Sequence, residues 1–161
     1  MCFVTLSSVP LPSLTSLKDH VTGLEPRGVL EAVLAERFPA RSAPAGQDRP
    51  GLPVAVAIVD VVGLKAVNER EGFLAGDAVL RSAADRLRQS AGTASVLARL
   101  GGDELVAVFV GPDASDEADL VARTLADGPA WPALRAAAIV ARDDDTPATL
   151  IHRLYTTLRR C

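Results

Sequence analysis

Apolar and polar positions follow two different periods along this chain, and the points where the period changes divide it into elements. Residues 52–59 (Leu-Pro-Val-Ala-Val-Ala-Ile-Val) form a short, nearly continuous apolar run. That is the length of a strand buried on both faces and too short for a membrane span. Asp60 ends the run, and helical spacing begins at Ala66, Val67 and Asn68. Upstream, Val29, Leu30, Val33 and Leu34 share one face of a helix predicted over 27–38. Downstream, Asp77 is placed as the N-cap of a helix reaching 89, with Val79, Leu80, Ala83 and Leu87 as its buried stripe. A further amphipathic helix is expected over 116–126, closed by Gly128-Pro129, then a strand over 134–141 and a last helix over 147–160. Two apolar runs, 95–100 and 106–110, flank Gly101-Gly102-Asp103-Glu104-Leu105. They predict a hairpin whose glycines supply the positive φ of a tight turn.

The proline-rich stretch 39–53 is expected as a loop, and the Ser- and Pro-rich stretch 7–16 as a loose lead. This gives a lead over 1–16 and one domain over 17–161. Strands alternating with helices, plus one hairpin, indicate an α/β fold with a mixed central sheet and flanking helices. A chain of 161 residues can bury a sizeable core, and 48% hydrophobic content with only four Phe, one Trp and one Tyr makes that core Ala, Val and Leu. Net charge of −3 argues against a nucleic-acid surface but permits a local phosphate pocket. Cys2 and Cys161 lack metal-site spacing and are expected as free thiols. The first residues carry no basic lead of a signal peptide and no run is long enough to span a bilayer, so a cytoplasmic location is expected.

If the hairpin pairs beside the 52–59 strand, Asp60 and Asp103 meet at one rim of the sheet. Carboxylates that close repel and call for a cation. Oxygen donors without nearby His or Cys favour Mg²⁺ or Mn²⁺. Arg99 is expected to pair with a carboxylate in the sheet without a catalytic role, Trp131 to serve as a core plug or loop anchor, and His20 and His152 to be surface or packing residues.

Four segments, in order, resemble the GGDEF domain of diguanylate cyclases. Residues 19–27 (Asp-His-Val-Thr-Gly-Leu-Glu-Pro-Arg) are similar to D-x-L-T-G-L-x-N-R. Residues 60–65 with Asn68 resemble D-x-D-x-F-K-x-x-N, Gly72 with 76–80 resembles G-H-x-x-G-D-x-V-L, and 99–105 resembles R-x-G-G-D-E-F. The resemblance implies the palm-like fold of nucleotidyl cyclases and the condensation of two GTP into cyclic di-GMP at an antiparallel homodimer. It implies that Asp60, the Val61 carbonyl and Asp103 hold Mg²⁺ or Mn²⁺, and that Asp103 takes the proton of the 3′-hydroxyl with Glu104 beside it. It gives guanine recognition to Asn68 and Asp77. Gly63 and Leu64 then belong to a phosphate cradle at a helix start, with Lys65 as its point charge.

The chain also departs from the pattern. Val62 stands for the second aspartate, Leu64 for the aromatic, Phe73 for the histidine, Leu105 for the last Phe, and 137–141 lose the family's serine and glycine. The inhibitory R-x-x-D falls on Gly92-Thr93-Ala94-Ser95 and is absent; Arg81, Arg86 and Arg88 are the nearest basic cluster. In the last helix Leu154-Tyr155 replace an Ala-Asp pair, Arg159 replaces a tyrosine, and Cys161 comes where a phosphate-binding lysine is expected, leaving Arg159 or Arg160 as its stand-ins. The alternative is therefore a degenerate module that binds GTP or a protein partner with little or no catalysis.

Overall fold

A computed structural model describes residues 18–38 and 52–161, so the 1–16 lead and most of the 39–53 loop lie outside the described residues. In chain order the elements are β1 (Glu25–Pro26), α1 (Arg27–Arg37), β2 (Val54–Val61), α2 (Leu64–Glu71), α3 (Phe73–Ser90), β3 (Val96–Arg99), β4 (Glu104–Val110), α4 (Ala114–Ala126), β5 (Leu134–Val140) and α5 (Pro147–Leu158). One five-stranded sheet runs β1-β3-β4-β2-β5. The β1–β3 pair is parallel and the others are antiparallel, so the sheet is mixed as expected.

Strand β2 is the axis. Its alternation sends Ala55, Ala57, Val59 and Val61 into a core shared with α3 and α4, and Val54, Val56 and Ile58 into a second core shared with α1 and α5. Helices thus cover both faces, and a strand buried this way needs no polar side. The α3 stripe of Val79, Leu80, Ala83 and Leu87 is buried as its spacing predicts. Thr146 caps α5 through reciprocal hydrogen bonds with Thr149, which fixes where that helix begins.

Four local expectations are corrected. Asp60 lies within β2, which continues through Val61, because β5 extends the pairing to Val61↔Leu134. Neither Gly101 nor Gly102 has positive φ. A Cβ at Gly101 would lie 2.1 Å from Glu104 Oε2, so a side chain there would push that carboxylate from its present place. Asp77 is inside α3 and caps nothing; that helix starts after Gly72, whose φ of +87° turns the chain sharply out of α2. Trp131 is exposed and plugs no core.

The segment entering the sheet is held by arginines. Asp19 Oδ2 accepts from the Thr22 N–H and hydroxyl, both at 2.7 Å, and Asp19 Oδ1 accepts from Arg99 at 3.0 Å. Arg88 donates to the Thr22 carbonyl and to Asp85, while Arg86 donates to the carbonyls of Pro132 and Leu125. Two members of the basic cluster on α3, Arg86 and Arg88, are therefore engaged in holding neighbouring segments, while Arg81 is exposed. Burial alone would raise the Asp19 carboxyl, but the Thr22 donors and Arg99 outweigh it and hold it below its ordinary value.

A depressed acid stabilises the fold above its unfolded pKa of about 3.9 and loses that contribution as pH falls through the folded value. Asp19→Ala should thus cost about 1–3 kcal/mol at pH 7. Below about pH 4 the gap should shrink as wild type loses the contribution. Urea unfolding at several pH values checks this; an equal deficit at every pH would assign the loss to packing.

Candidate functional site

The β2, β4 and β5 register sets a row of charge across the sheet. Asp60 lies opposite Glu104 on one side and opposite Arg135 on the other. The Val61 N–H donates to the Asp103 carbonyl at 3.0 Å, which fastens the Gly-Gly turn to the end of β2. Asp60 and Asp103 are therefore brought to one rim, as expected, with Glu104 at the start of β4 opposite Asp60 and Val61 buried beside it.

A cleft of about 720 Å³ opens next to this rim. Leu64, Lys65, Asn68, Asp77 and Asp103 line it together, drawn from α2, α3 and the turn. Asp60, Val61, Gly63 and Glu104 are not among its walls. Gly63 still shapes it: with φ of +79° it enters α2 in a left-handed conformation. The first turn of α2 has no acidic residue and no side-chain cap. Its leading N–H groups are the kind that receive an anion. Lys65 is exposed, with Glu69 3.8 Å away as a loose partner.

The packing of α2 on α3 positions Asn68. A Cβ on Gly76 would lie 1.8 Å from Asn68 Oδ1, so the missing side chain is what lets the carboxamide rest against α3. Asn68 of α2 and Asp77 of α3 present an amide and a carboxylate to the same space. Such a pair can accept and donate along one edge of a planar base.

Sequence comparison is decisive at this point. The profile of the family described as "Diguanylate cyclase, GGDEF domain" matches residues 16–131, well over half of the chain. The chain belongs to the GGDEF family. The uncharacterized protein y4lL of Sinorhizobium fredii is 36% identical over 109 residues, covering 68% of this chain and 12% of its own length. The diguanylate cyclase DgcP of Pseudomonas aeruginosa is 34% identical over 94 residues, covering 58% of this chain and 13% of its own. This chain thus spans well under a fifth of these curated relatives. The solved structure of a sensory box/GGDEF family protein from Caulobacter crescentus superposes with a TM-score of 0.67 at 30% identity, covering 89% of this chain and 96% of that one. The palm-like fold expected from the motifs is that of this GGDEF domain. No helix among the described residues is long and apolar enough to cross a membrane.

Two side chains of this GGDEF domain reach the rim without a role there having been expected: Arg135, and Tyr155, which the sequence marked only as a departure from the family's Ala-Asp pair. Arg135 of β5 donates to Asp60 Oδ2 at 2.8 Å, and the Tyr155 hydroxyl of α5 donates to Glu104 Oε2 at 2.8 Å. Arg135 had a signal, being the one charge in an otherwise apolar strand. Tyr155 had none, because the α5–β4 contact is long-range. Arg99 does pair with a carboxylate, but Asp19 belongs to the entry turn; Arg99 also donates to the Gly101 and Gly102 carbonyls and lines the cleft. His20 and His152 are exposed, as expected of surface residues.

Among the described residues no three His, Cys, Asp or Glu side chains form a ready metal cage. The donor chemistry nonetheless suits a hard divalent ion, since Asp60, Asp103 and the Val61 carbonyl offer only oxygen. Crowding of negative charge is felt at Glu104. Burial raises its carboxyl above the ordinary range; the Tyr155 hydrogen bond opposes this, while the nearby Asp103 and Asp60 charges add to it. Burial and then the Glu104 bond push the Tyr155 hydroxyl up to about 12.

A raised carboxyl makes the fold less stable as pH climbs from its unfolded pKa, about 4.3, through the folded value. Glu104→Gln keeps an acceptor for Tyr155 and removes the charge. In metal-free buffer at pH 7 it should raise Tm by about 1–3 °C, and the gain should vanish near pH 4. Scanning calorimetry across that range checks it; a lower Tm at pH 7 would make the charge itself stabilising.

Proposed function

We propose that this GGDEF domain is a diguanylate cyclase that condenses two GTP into cyclic di-GMP. The observation that carries the reading is the convergence of Lys65, Asn68, Asp77 and Asp103 on one cleft beside an acidic sheet rim. Asn68 and Asp77 bind the guanine edge, the carboxylate accepting from N1–H and the 2-amino group, a pattern adenine lacks. Lys65 and the α2 N-terminus, entered through Gly63 and Leu64, hold the triphosphate. Asp60, the Val61 carbonyl and Asp103 would hold the Mg²⁺ or Mn²⁺ that the family generally uses, which when bound supplies charge stabilisation at the α-phosphate.

Each subunit of an antiparallel homodimer presents one GTP. The 3′-oxygen of one attacks the α-phosphorus of the other, its proton passes to Asp103, and the bond to the bridging oxygen breaks to release pyrophosphate. The same exchange in the opposite direction closes the ring, so a lone subunit cannot finish it. The partners of this reading are GTP and a second copy of the chain.

A second reading, a module that binds GTP without turnover, is favoured by the Arg135–Asp60 and Tyr155–Glu104 contacts, which occupy two of the rim's carboxylates. Incubation with GTP and Mg²⁺ followed by mass identification of the product separates the two. Cyclic di-GMP and pyrophosphate are expected, and bound but unchanged GTP would establish the second reading. In the active case Asp103→Ala should lower product formation at least about a hundredfold, with metal-free stability level or slightly higher.

Calorimetry should also find GTP bound more tightly than ATP, since each buried group left unpaired by adenine costs about 1–3 kcal/mol. Asn68→Ala should narrow that difference. Equal affinities in the wild-type chain would remove Asn68 and Asp77 from base recognition.

A further inference from the structure

The carboxylate assigned to the metal already has a cation. Asp60 and Arg135 sit directly opposite on β2 and β5, and the Nη2–Oδ2 distance is 2.8 Å. The Asp60 side chain is only 13% exposed and that of Arg135 43%, so the pair lies at the sheet's rim with its acidic half tucked in. On the other edge of β2, Asp60 faces Glu104, a like charge in a cross-strand position. Such a pair is unfavourable unless a positive group stands near. Asp60 is the one acceptor found for Arg135 among the described residues, and β5 offers no other charge.

We propose that Arg135 is a built-in counter-ion for Asp60, and that a divalent ion must compete with its guanidinium for this carboxylate. The inference rests on the metal reading given above and adds to it a residue that sets metal affinity. Two costs oppose entry. A charge-assisted hydrogen bond must break, and a fixed positive charge must then remain near a doubly charged ion or swing toward solvent. Metal binding and the Arg135–Asp60 bond are therefore mutually exclusive at Asp60 Oδ2, and each weakens the other by the same factor. A nucleotide brings negative phosphates that can receive the freed guanidinium. The ion should accordingly bind the nucleotide-loaded chain better than the empty one, beyond the ligands the phosphates themselves donate.

Mn²⁺ binding to the purified chain without nucleotide, read by electron paramagnetic resonance of the free ion, tests this directly. Arg135→Ala should bind Mn²⁺ at least about tenfold more tightly than wild type. Arg135→Gln, which retains a donor toward Asp60 without the charge, should also gain, and it guards against a misfolded alanine variant. Adding Asp60→Asn to either should erase the gain. In chelator both Arg135 variants should melt below wild type, and Mn²⁺ should restore them. Unchanged or weaker Mn²⁺ affinity in both folded Arg135 variants overturns the proposal. If wild type nonetheless binds Mn²⁺ through Asp60 and Asp103, only the counter-ion role falls. If no folded variant binds Mn²⁺, the metal reading falls with it.

Discussion

Strand β2 is hydrogen-bonded along both edges and covered on both faces, and the rest of the molecule is arranged by its register. In a strand the side chains alternate strictly, so a slip of one residue against β4 or β5 would carry every core residue to the wrong helix layer. The same alternation places Asp60 on the α5 side of the sheet, in line with Glu104 and Arg135. Packing and charge are not independent here: the apolar run that secures the register also fixes which charged groups must be neighbours.

That coupling explains why the rim tolerates so much negative charge. Burial of a strand end with carboxylates on adjoining strands would be costly if each stood alone. Two of them instead have a partner from a different element: Asp60 has Arg135 of β5 and Glu104 has Tyr155 of α5, while the turn carrying Asp103 is tied to Val61 through its backbone alone. The cleft side is less provided for: Lys65 is exposed and the α2 start is uncapped, which leaves room for an anion to complete it.

How much of this could be seen in the sequence depended on range. The core strand, the α3 stripe and the hairpin were legible because their signals are local and periodic. Asn68, Asp77, Lys65 and Asp103 were found by motif, and the cleft brings them together. The errors were also local in form. A carboxylate before an apolar stripe imitates an N-cap, yet α3 begins earlier at Phe73, since Gly72 had already supplied the sharp turn. Two adjacent glycines imitate a positive-φ turn, yet neither has positive φ and the Glu104 carboxylate rests where a Gly101 side chain would begin. The rim contacts of Arg135 and Tyr155 are hidden for the opposite reason: they exist only once β5 and α5 have docked, and no short window of sequence contains both partners.

Arg99 joins two places that the chain separates by most of a domain. One nitrogen holds Asp19 at the entry turn, and others hold the carbonyls of Gly101 and Gly102. A displacement of the chain at Lys18 therefore has a single guanidinium between it and the turn that carries Asp103 and Glu104. Because that group is planar and grips several acceptors at once, it transmits orientation as well as tension. The β1–β3 pairing beside it is only two residues long, and the entry turn is otherwise anchored by Arg88 on the Thr22 carbonyl and by buried Val21 and Leu24. In mechanical terms the domain's threshold and its acidic rim are linked by a lever one side chain long.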